Sequence, residues 1–265
     1  MAERSGCGES GDQARIVALL RAAGCVYAED EADVLSASAS GDALADLVAQ
    51  RIAGAPLEVI VGWADFGGLR VAVAPGLFVP RARSRLLVTI AADLAPGGGT
   101  AADICCGTGA IGALLSHHRP DLKVLAADVD PEAVACARRN LPASSTAYVG
   151  DLLSPLPIAL CGALDVVVAN APYVPSADIA LMPREAREHE RLITLDGGPD
   201  GLDVQRRLLF AAADWLVPGG AVVVETSRHQ AALSLAAAAA AGLVGRIIRD
   251  DGLDAWAMTA TRPAL

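Results

Sequence analysis

With 265 residues, 53% of them hydrophobic, 20% charged and 3% aromatic, the chain is neither disordered nor collagen-like. Its length allows one large domain, or one of ordinary size with a smaller appendage, and either can bury a real core. Lysine and arginine total 21 against 31 acids, and the formal charge of -10 is the wrong sign for a protein that holds nucleic acid chiefly through phosphates.

Met1 to Gly11 is polar and glycine-rich and lacks the apolar core of a signal peptide. No uninterrupted apolar stretch reaches the roughly 18 residues of a membrane span, so the expectation is a cytoplasmic protein with no membrane partner. From about Asp12 to Gly54, apolar residues recur at helical spacing: Ile16, Leu19 and Leu20, then Leu44, Leu47, Val48 and Ile52. This pattern predicts a small helical domain over 1–58. Between Val59 and Val73, short β-type runs flank Gly67-Gly68, a dipeptide suited to a hairpin turn, and a two-stranded linker is predicted over 59–75. Pro75, Pro80 and Pro96-Gly97-Gly98-Gly99 then bracket a helix from Ser84 to Leu94.

After Gly99, strands and helices alternate. Strands are predicted at Ala101 to Cys106, Val124 to Asp128, Ala147 to Val149, Leu164 to Ala169 and Ala221 to Glu225. Helices are predicted at Ala110 to His118, Pro131 to Asn140, Asp203 to Leu216 and about Gln230 to Ala241. Two terminal strands follow near Val244 to Arg249 and Ala255 to Thr261, close enough to form a hairpin that would turn the last one antiparallel. The alternation predicts an α/β class fold over 76–265, a doubly wound, mostly parallel sheet with helices on both faces. The six cysteines (Cys7, Cys25, Cys105, Cys106, Cys136 and Cys161) form no C-x-x-C pair and have no histidine at ligand spacing, so free thiols and no metal site are expected.

The first strand of this domain runs into Asp103-Ile104-Cys105-Cys106-Gly107-Thr108-Gly109-Ala110-Ile111-Gly112. Glycines here permit a tight strand-to-helix turn and a close ligand approach, though nicotinamide, flavin and S-adenosylmethionine enzymes can all present such a turn. Asp128 ends the next strand, where a carboxylate accepts from ribose hydroxyls, and Asp151 follows the third, where a side chain could accept from an exocyclic amine. A carboxylate inside an apolar strand is costly unless bonded, so Asp103 either fixes the glycine loop or receives a ligand's ammonium group. The fourth strand leads directly into Asn170-Ala171-Pro172-Tyr173. At the carboxyl edge of a parallel sheet, an asparagine oxygen and a backbone carbonyl followed by proline can accept both hydrogens of a planar NH2 group, with Tyr173 beside the plane. Arg184, Arg187 and Arg191, with Glu185 and Glu188 interleaved, read as a solvated helix face. Cys105 and Cys106 have no base at a recognisable spacing and read as packing under the turn.

On these motifs the chain resembles the class I S-adenosylmethionine-dependent methyltransferases, and among them the HemK-type N(5)-glutamine methyltransferases that modify peptide chain release factors. The likeness runs from the helical segment and Phe78-Val79-Pro80-Arg81 through the glycine turn and Asn170-Ala171-Pro172-Tyr173 to Asp196-Gly197-Gly198-Pro199-Asp200-Gly201-Leu202. It implies a seven-stranded Rossmann-like sheet and S-adenosyl-L-methionine as cofactor. Asp103, Gly107 and Gly109 would contact the methionine part, with Cys105 and Thr108 in the same loop. Asp128 and Val129 would hold the ribose, Asp151 and Leu152 would face the adenine, and Asn170 would border cofactor and acceptor alike. Asn170, Ala171, Pro172 and Tyr173 would form the acceptor corner, and Phe78, Arg81, Arg85 and Glu190 would line the substrate side.

Two departures stand out. Ala171 replaces a usual proline, at a position that contributes only its carbonyl. Ala82-Arg83-Ser84-Arg85 stands where the family commonly continues Pro-Asp-Thr-Glu, exchanging two acids for two arginines, which would suit an acceptor bearing a carboxylate or phosphate, or a different protein. The implied reaction is methylation of a protein glutamine, in a release factor or similar. A small-molecule amide or guanidine, a nucleic-acid base amine, a nicotinamide-dependent dehydrogenase and a non-catalytic binding module remain as alternatives. The dehydrogenase lacks a Tyr-x-x-x-Lys pair, the lone Lys123 standing at the start of a strand.

Overall fold

The computed structural model describes residues 6–264, with side chains described from residue 11. Met1–Ser5 and the thiol expected at Cys7 therefore lie outside what is described. Four helices open the chain: α1 (Gly6–Ala22), α2 (Ala28–Ser38), α3 (Gly41–Ile52) and the short α4 (Leu57–Val61). Ile16 and Leu20 on one face of α1 meet Ala28, Ala32 and Leu35 of α2 and Val48 of α3 in a cluster of their own. Buried Glu31 is held by both forks of the Arg51 guanidinium, at 2.6 and 3.1 Å.

Strands β1 (Trp63–Phe66) and β2 (Leu69–Ala72) form the expected antiparallel hairpin. Gly67 and Gly68 both have positive φ, 65° and 85°, the backbone that a two-residue turn matched to strand twist demands. The ribbon is shorter than predicted, because Val59–Val61 belong to α4, where Leu57, Ile60 and Val61 pack on the helical cluster; burial there outweighs their β-preference.

A single turn of 3-10 helix (Ala82–Ser84) leads into α5 (Arg85–Leu94), followed by β3 (Thr100–Ile104), α6 (Ala110–His118), β4 (Lys123–Asp128), α7 (Pro131–Asn140), β5 (Thr146–Val149) and β6 (Leu164–Ala169). Asp130 caps α7 by accepting from the Glu132 amide at 2.8 Å, with Pro131 in the first turn. After β6 a long irregular segment holds α8 (Arg184–His189), and α9 (Asp203–Trp215), β7 (Leu216–Thr226), α10 (Ala231–Ala240), β8 (Val244–Asp250) and β9 (Ala255–Thr261) complete the fold.

The seven strands β3–β9 lie in the order β5-β4-β3-β6-β7-β9-β8, and only β9 runs antiparallel to the rest. This is the predicted doubly wound sheet, with the terminal hairpin resolved in favour of an antiparallel last strand. Side chains leave alternate faces of each strand. Val166 and Val168 pack with Leu87, Ile90, Ile111 and Leu114 of α5 and α6, while Val167 and Ala169 pack with Leu208, Leu209 and Ala238 of α9 and α10. The strand predicted at Ala221 to Glu225 begins earlier, at Leu216, so that Pro218-Gly219-Gly220 sits inside β7, at a register shift against β6. The Gly219 amide donates to the Arg262 carbonyl and the Arg262 amide to that of Gly220, so the strand continues through the irregularity. Strand order reverses at β3, with β4 on one side and β6 on the other, and the loops leaving the carboxyl ends of β3, β4 and β6 border one crevice.

Candidate active site

The loop after β3 curls back on itself, with positive φ at Cys105 (55°), Gly107 (53°) and Gly109 (74°). Asp128 secures it from the end of β4: its Oδ2 accepts from the Gly107 amide at 2.9 Å and its Oδ1 from the Asp130 amide at 2.9 Å. Burial raises the Asp128 carboxyl above its ordinary value, and the two amides oppose that shift. Asp103 lies behind the loop and is fully buried. Its Oδ2 accepts from the Gly112 amide at 2.8 Å, pinning the first turn of α6, and its Oδ1 has no partner. Of the two roles open to Asp103, the geometry displays the fixing of the glycine loop. Burial, chiefly, pushes its carboxyl up to about 8. Burial likewise raises the Cys105 and Cys106 thiols, which favours the thiol over the nucleophilic thiolate.

A cavity of about 280 Å³ opens over this loop. Cys105, Gly107 and Thr108 from the glycine turn, Asp128 and Val129 from the end of β4, and Asp151 and Leu152 after β5 form one side. Asn170, Ala171, Pro172 and Tyr173 face them, and Phe78, Arg81 and Glu190 close a third wall. Three expected site residues are not on the walls: Asp103, Gly109 and Arg85. Gly109 instead begins α6 against Ala137. Arg85 opens α5, donates to the Ala82 carbonyl at 3.0 Å and lies near the hairpin turn at Gly67. Arg83, two residues earlier, occupies the wall in its place, since positions two apart on a helical turn do not share a face.

The arginines around the cavity are paired. Arg81 holds the buried Glu190 at 2.6 Å, and burial raises the Glu190 carboxyl against that attraction. Asp151 is exposed and engaged by Arg207. Arg191, expected on a solvated helix face, lies beyond α8 and reaches Asp130 and Glu132 at the start of α7, while Arg184 and Glu188 do make the expected surface pair at 2.8 Å. Arg83 contacts the Tyr173 hydroxyl and forms an ion pair at 2.7 Å with Glu225.

Glu225 is the residue the sequence reading missed. It is 5% exposed near the end of β7, and its carboxylate gathers Arg83, the Ser84 hydroxyl at 2.6 Å and the Tyr173 hydroxyl at 3.2 Å. The cost argument that singled out Asp103, an acid inside an apolar run, applies equally to Ala221-Val222-Val223-Val224-Glu225 and could have found it. Burial and the neighbouring Glu225 charge raise the Tyr173 phenol, so it is no ready base. Gln230 anchors the corner from behind, its amide donating to the Tyr173 carbonyl at 2.8 Å and to the Asp200 carbonyl at 3.2 Å.

A family model described as the methyltransferase small domain matches residues 71–186. Over 188 residues the chain is 37% identical to the release factor glutamine methyltransferase of Geobacter sulfurreducens, a match covering 70% of this chain and 65%, just under two thirds, of that relative. To the release factor glutamine methyltransferase of Bradyrhizobium diazoefficiens it is 35% identical over 255 residues, covering 84% of each. Among solved structures, that of a methyltransferase from Pyrococcus furiosus shares the fold, with a TM-score of 0.56 at 22% identity over 74% of this chain and 90% of that one. A wound sheet, a glycine turn facing an Asn-x-Pro-Tyr corner, and identity of this extent along most of both chains place this protein in the release factor glutamine methyltransferase family.

Proposed function

We propose that the chain methylates the side-chain amide nitrogen of a glutamine in a peptide chain release factor, using S-adenosyl-L-methionine. The observation that carries this reading is the placement of Asn170-Ala171-Pro172-Tyr173 across one cavity from the glycine turn and Asp128. The residues present fit the cofactor. Gly107 lines the cavity and a Cβ there would meet no protein atom within 4 Å, so the space beside its backbone is open. Each Asp128 oxygen accepts one amide and keeps a lone pair for a ribose hydroxyl. Val129 and Leu152 supply apolar wall beside these groups, and Asp151 an acceptor. When bound, the cofactor supplies an electrophilic methyl group on a sulfonium.

The chain's own contribution is positioning. Asn170 Oδ1 and the Ala171 carbonyl accept the two hydrogens of the acceptor NH2 group, Pro172 stiffens the turn, and Tyr173 flanks the amide plane. The nitrogen, made acidic by the incoming methyl group, loses its extra proton to solvent, so no wall carboxylate has to serve as base. The exchange to Arg83 and Arg85 argues for no anionic acceptor, because Arg83 is neutralised by Glu225 and Arg85 lies off the walls. In this reading residues 76–265 carry the chemistry; the separate apolar cluster of α1–α4 supports a division into a helical domain and a hairpin linker beginning at Trp63.

Calorimetric titration with S-adenosylmethionine, S-adenosylhomocysteine and NAD, followed by methyl transfer to a release factor and to its Gln→Glu variant, tests the proposal. Binding of the two sulfur ligands alone and methylation of the glutamine form alone are expected. Binding of NAD alone, or equal methylation of both forms, would overturn it.

A further inference from the structure

Asn170 offers the acceptor an oxygen only if its side-chain amide sits one way round. The torsion that turns an asparagine amide has two nearly equivalent settings, and the wrong one would present NH2 to the acceptor's NH2. The cavity wall contains a hydrogen-bond chain that decides between them. Asn170 Nδ2 lies 3.2 Å from Ser84 Oγ, and Ser84 Oγ lies 2.6 Å from Glu225 Oε2. Arg83 forms an ion pair with the other Glu225 oxygen at 2.7 Å, and a carboxylate in such a pair is a hydrogen-bond acceptor only. The Ser84 proton must therefore go to Glu225, and Ser84 Oγ is left as an acceptor. Only the nitrogen end of Asn170 can satisfy it, so Oδ1 turns to the other side, and among the described residues nothing donates to that oxygen. The direction of the chain follows from the Arg83–Glu225 ion pair at its far end.

We propose that Glu225 and Ser84 are positioning residues that set the orientation of the Asn170 amide and thereby select an NH2-bearing acceptor. The inference rests on the methyl-transfer reading above. It also gives the arginine at position 83 a role, since its ion pair fixes in place the Glu225 carboxylate that accepts from Ser84. Both helpers lie outside the motif they serve, Ser84 in the 3-10 turn before α5 and Glu225 near the end of β7.

Three variants test this with a glutamine-bearing release-factor peptide as acceptor: Ser84→Ala, Ser84→Thr and Glu225→Gln. Ser84→Ala removes the acceptor that holds the nitrogen. Glu225→Gln keeps the shape but can donate as well as accept, so the chain can run in either direction. Each should lower kcat about tenfold, the equivalent of one net hydrogen bond, while the Kd for S-adenosylhomocysteine stays within about twofold of wild type. Ser84→Thr keeps the hydroxyl and should retain most of kcat. The proposal is overturned if Glu225→Gln turns over within about twofold of wild type, or if Ser84→Thr is as impaired as Ser84→Ala, which would make the role one of packing. Should Ser84→Ala fail to fold, Glu225→Gln and Ser84→Thr decide between the same outcomes. Absence of transfer by the wild-type enzyme would instead sink the reading on which the proposal rests.

Discussion

Asn170 and Asp128 stand on opposite walls of one cavity and should fail in opposite ways. Asn170→Ala removes the acceptor's oxygen partner and nothing from the glycine turn; kcat should fall by roughly 100-fold with cofactor affinity nearly unchanged. Asp128→Ala releases the Gly107 and Asp130 amides and should weaken S-adenosylhomocysteine binding about tenfold or more. Titration calorimetry beside steady-state kinetics separates the two, and an Asn170→Ala enzyme with normal turnover would remove that residue from the acceptor site. Asp103 makes a different forecast. Its carboxyl ordinarily ionises near 3.8 and, folded, near 8, so between those values the native chain holds a proton that the unfolded chain has lost. The stability linked to that proton is complete below about 3.8 and is lost as pH climbs through about 8, on the order of a few kcal/mol across the window. Denaturant unfolding at pH 5 and pH 9 should show the decline, and Asp103→Asn, although less stable at pH 5, should flatten it. A wild-type curve that rises across this window would contradict the assignment. Asp103, Asp128 and Asn170 were legible because each departs from an apolar strand at its carboxyl end. Glu225 obeys the same rule but lacks a glycine turn or a proline beside it to attract notice.

The acceptor corner depends on a neighbouring loop as much as on its own four residues. Gly201, at φ 78°, lies so close beneath it that a Cβ would come 2.2 Å from the Tyr173 carbonyl oxygen and 2.4 Å from Gln230 Nε2. Gly201→Ala should therefore displace the Tyr173 backbone and break the Gln230 bond, costing about 1–3 kcal/mol of stability and a larger share of turnover than of cofactor affinity. A thermal melt and a kcat measured together check this; unchanged turnover would show that the corner tolerates a shifted carbonyl. Most elements were readable from period alone, because a strand covered on both faces, such as the Val166–Ala169 part of β6, is continuously apolar, and an amphipathic helix such as Asp203–Trp215 is not. The exceptions have physical causes. Val59–Val61 carry β-type side chains that a tertiary contact captures into a helix, and the Pro218-Gly219-Gly220 irregularity is bridged by backbone bonds to Arg262, far off in sequence. Arg191 was misplaced for the same reason: it lies past the end of α8, and its partners Asp130 and Glu132 stand at the start of α7, far off in sequence.

The whole molecule carries ten more acids than bases, and the arginines on the cavity wall are already paired. A fluorescence anisotropy titration against duplex DNA or structured RNA should accordingly show no binding up to roughly 10 micromolar at physiological salt. Salt-sensitive binding below that concentration would reopen a nucleic-acid base as acceptor. Sheet topology has a further consequence, in the order of synthesis. Strand β7, which carries Glu225, is flanked by β6 and by β9, and β8 has no strand partner but β9. The chain leaves the ribosome amino end first, so β7 and β8 emerge with open edges and wait for Ala255–Thr261 to slot between them. A nascent chain halted at residue 250 would already display the glycine turn, Asp128 and Asn170, yet the strand that aims the Asn170 amide would still lack its outer neighbour. The outer edge of the strand that carries Glu225 is thus closed only after Ala255–Thr261 has been made.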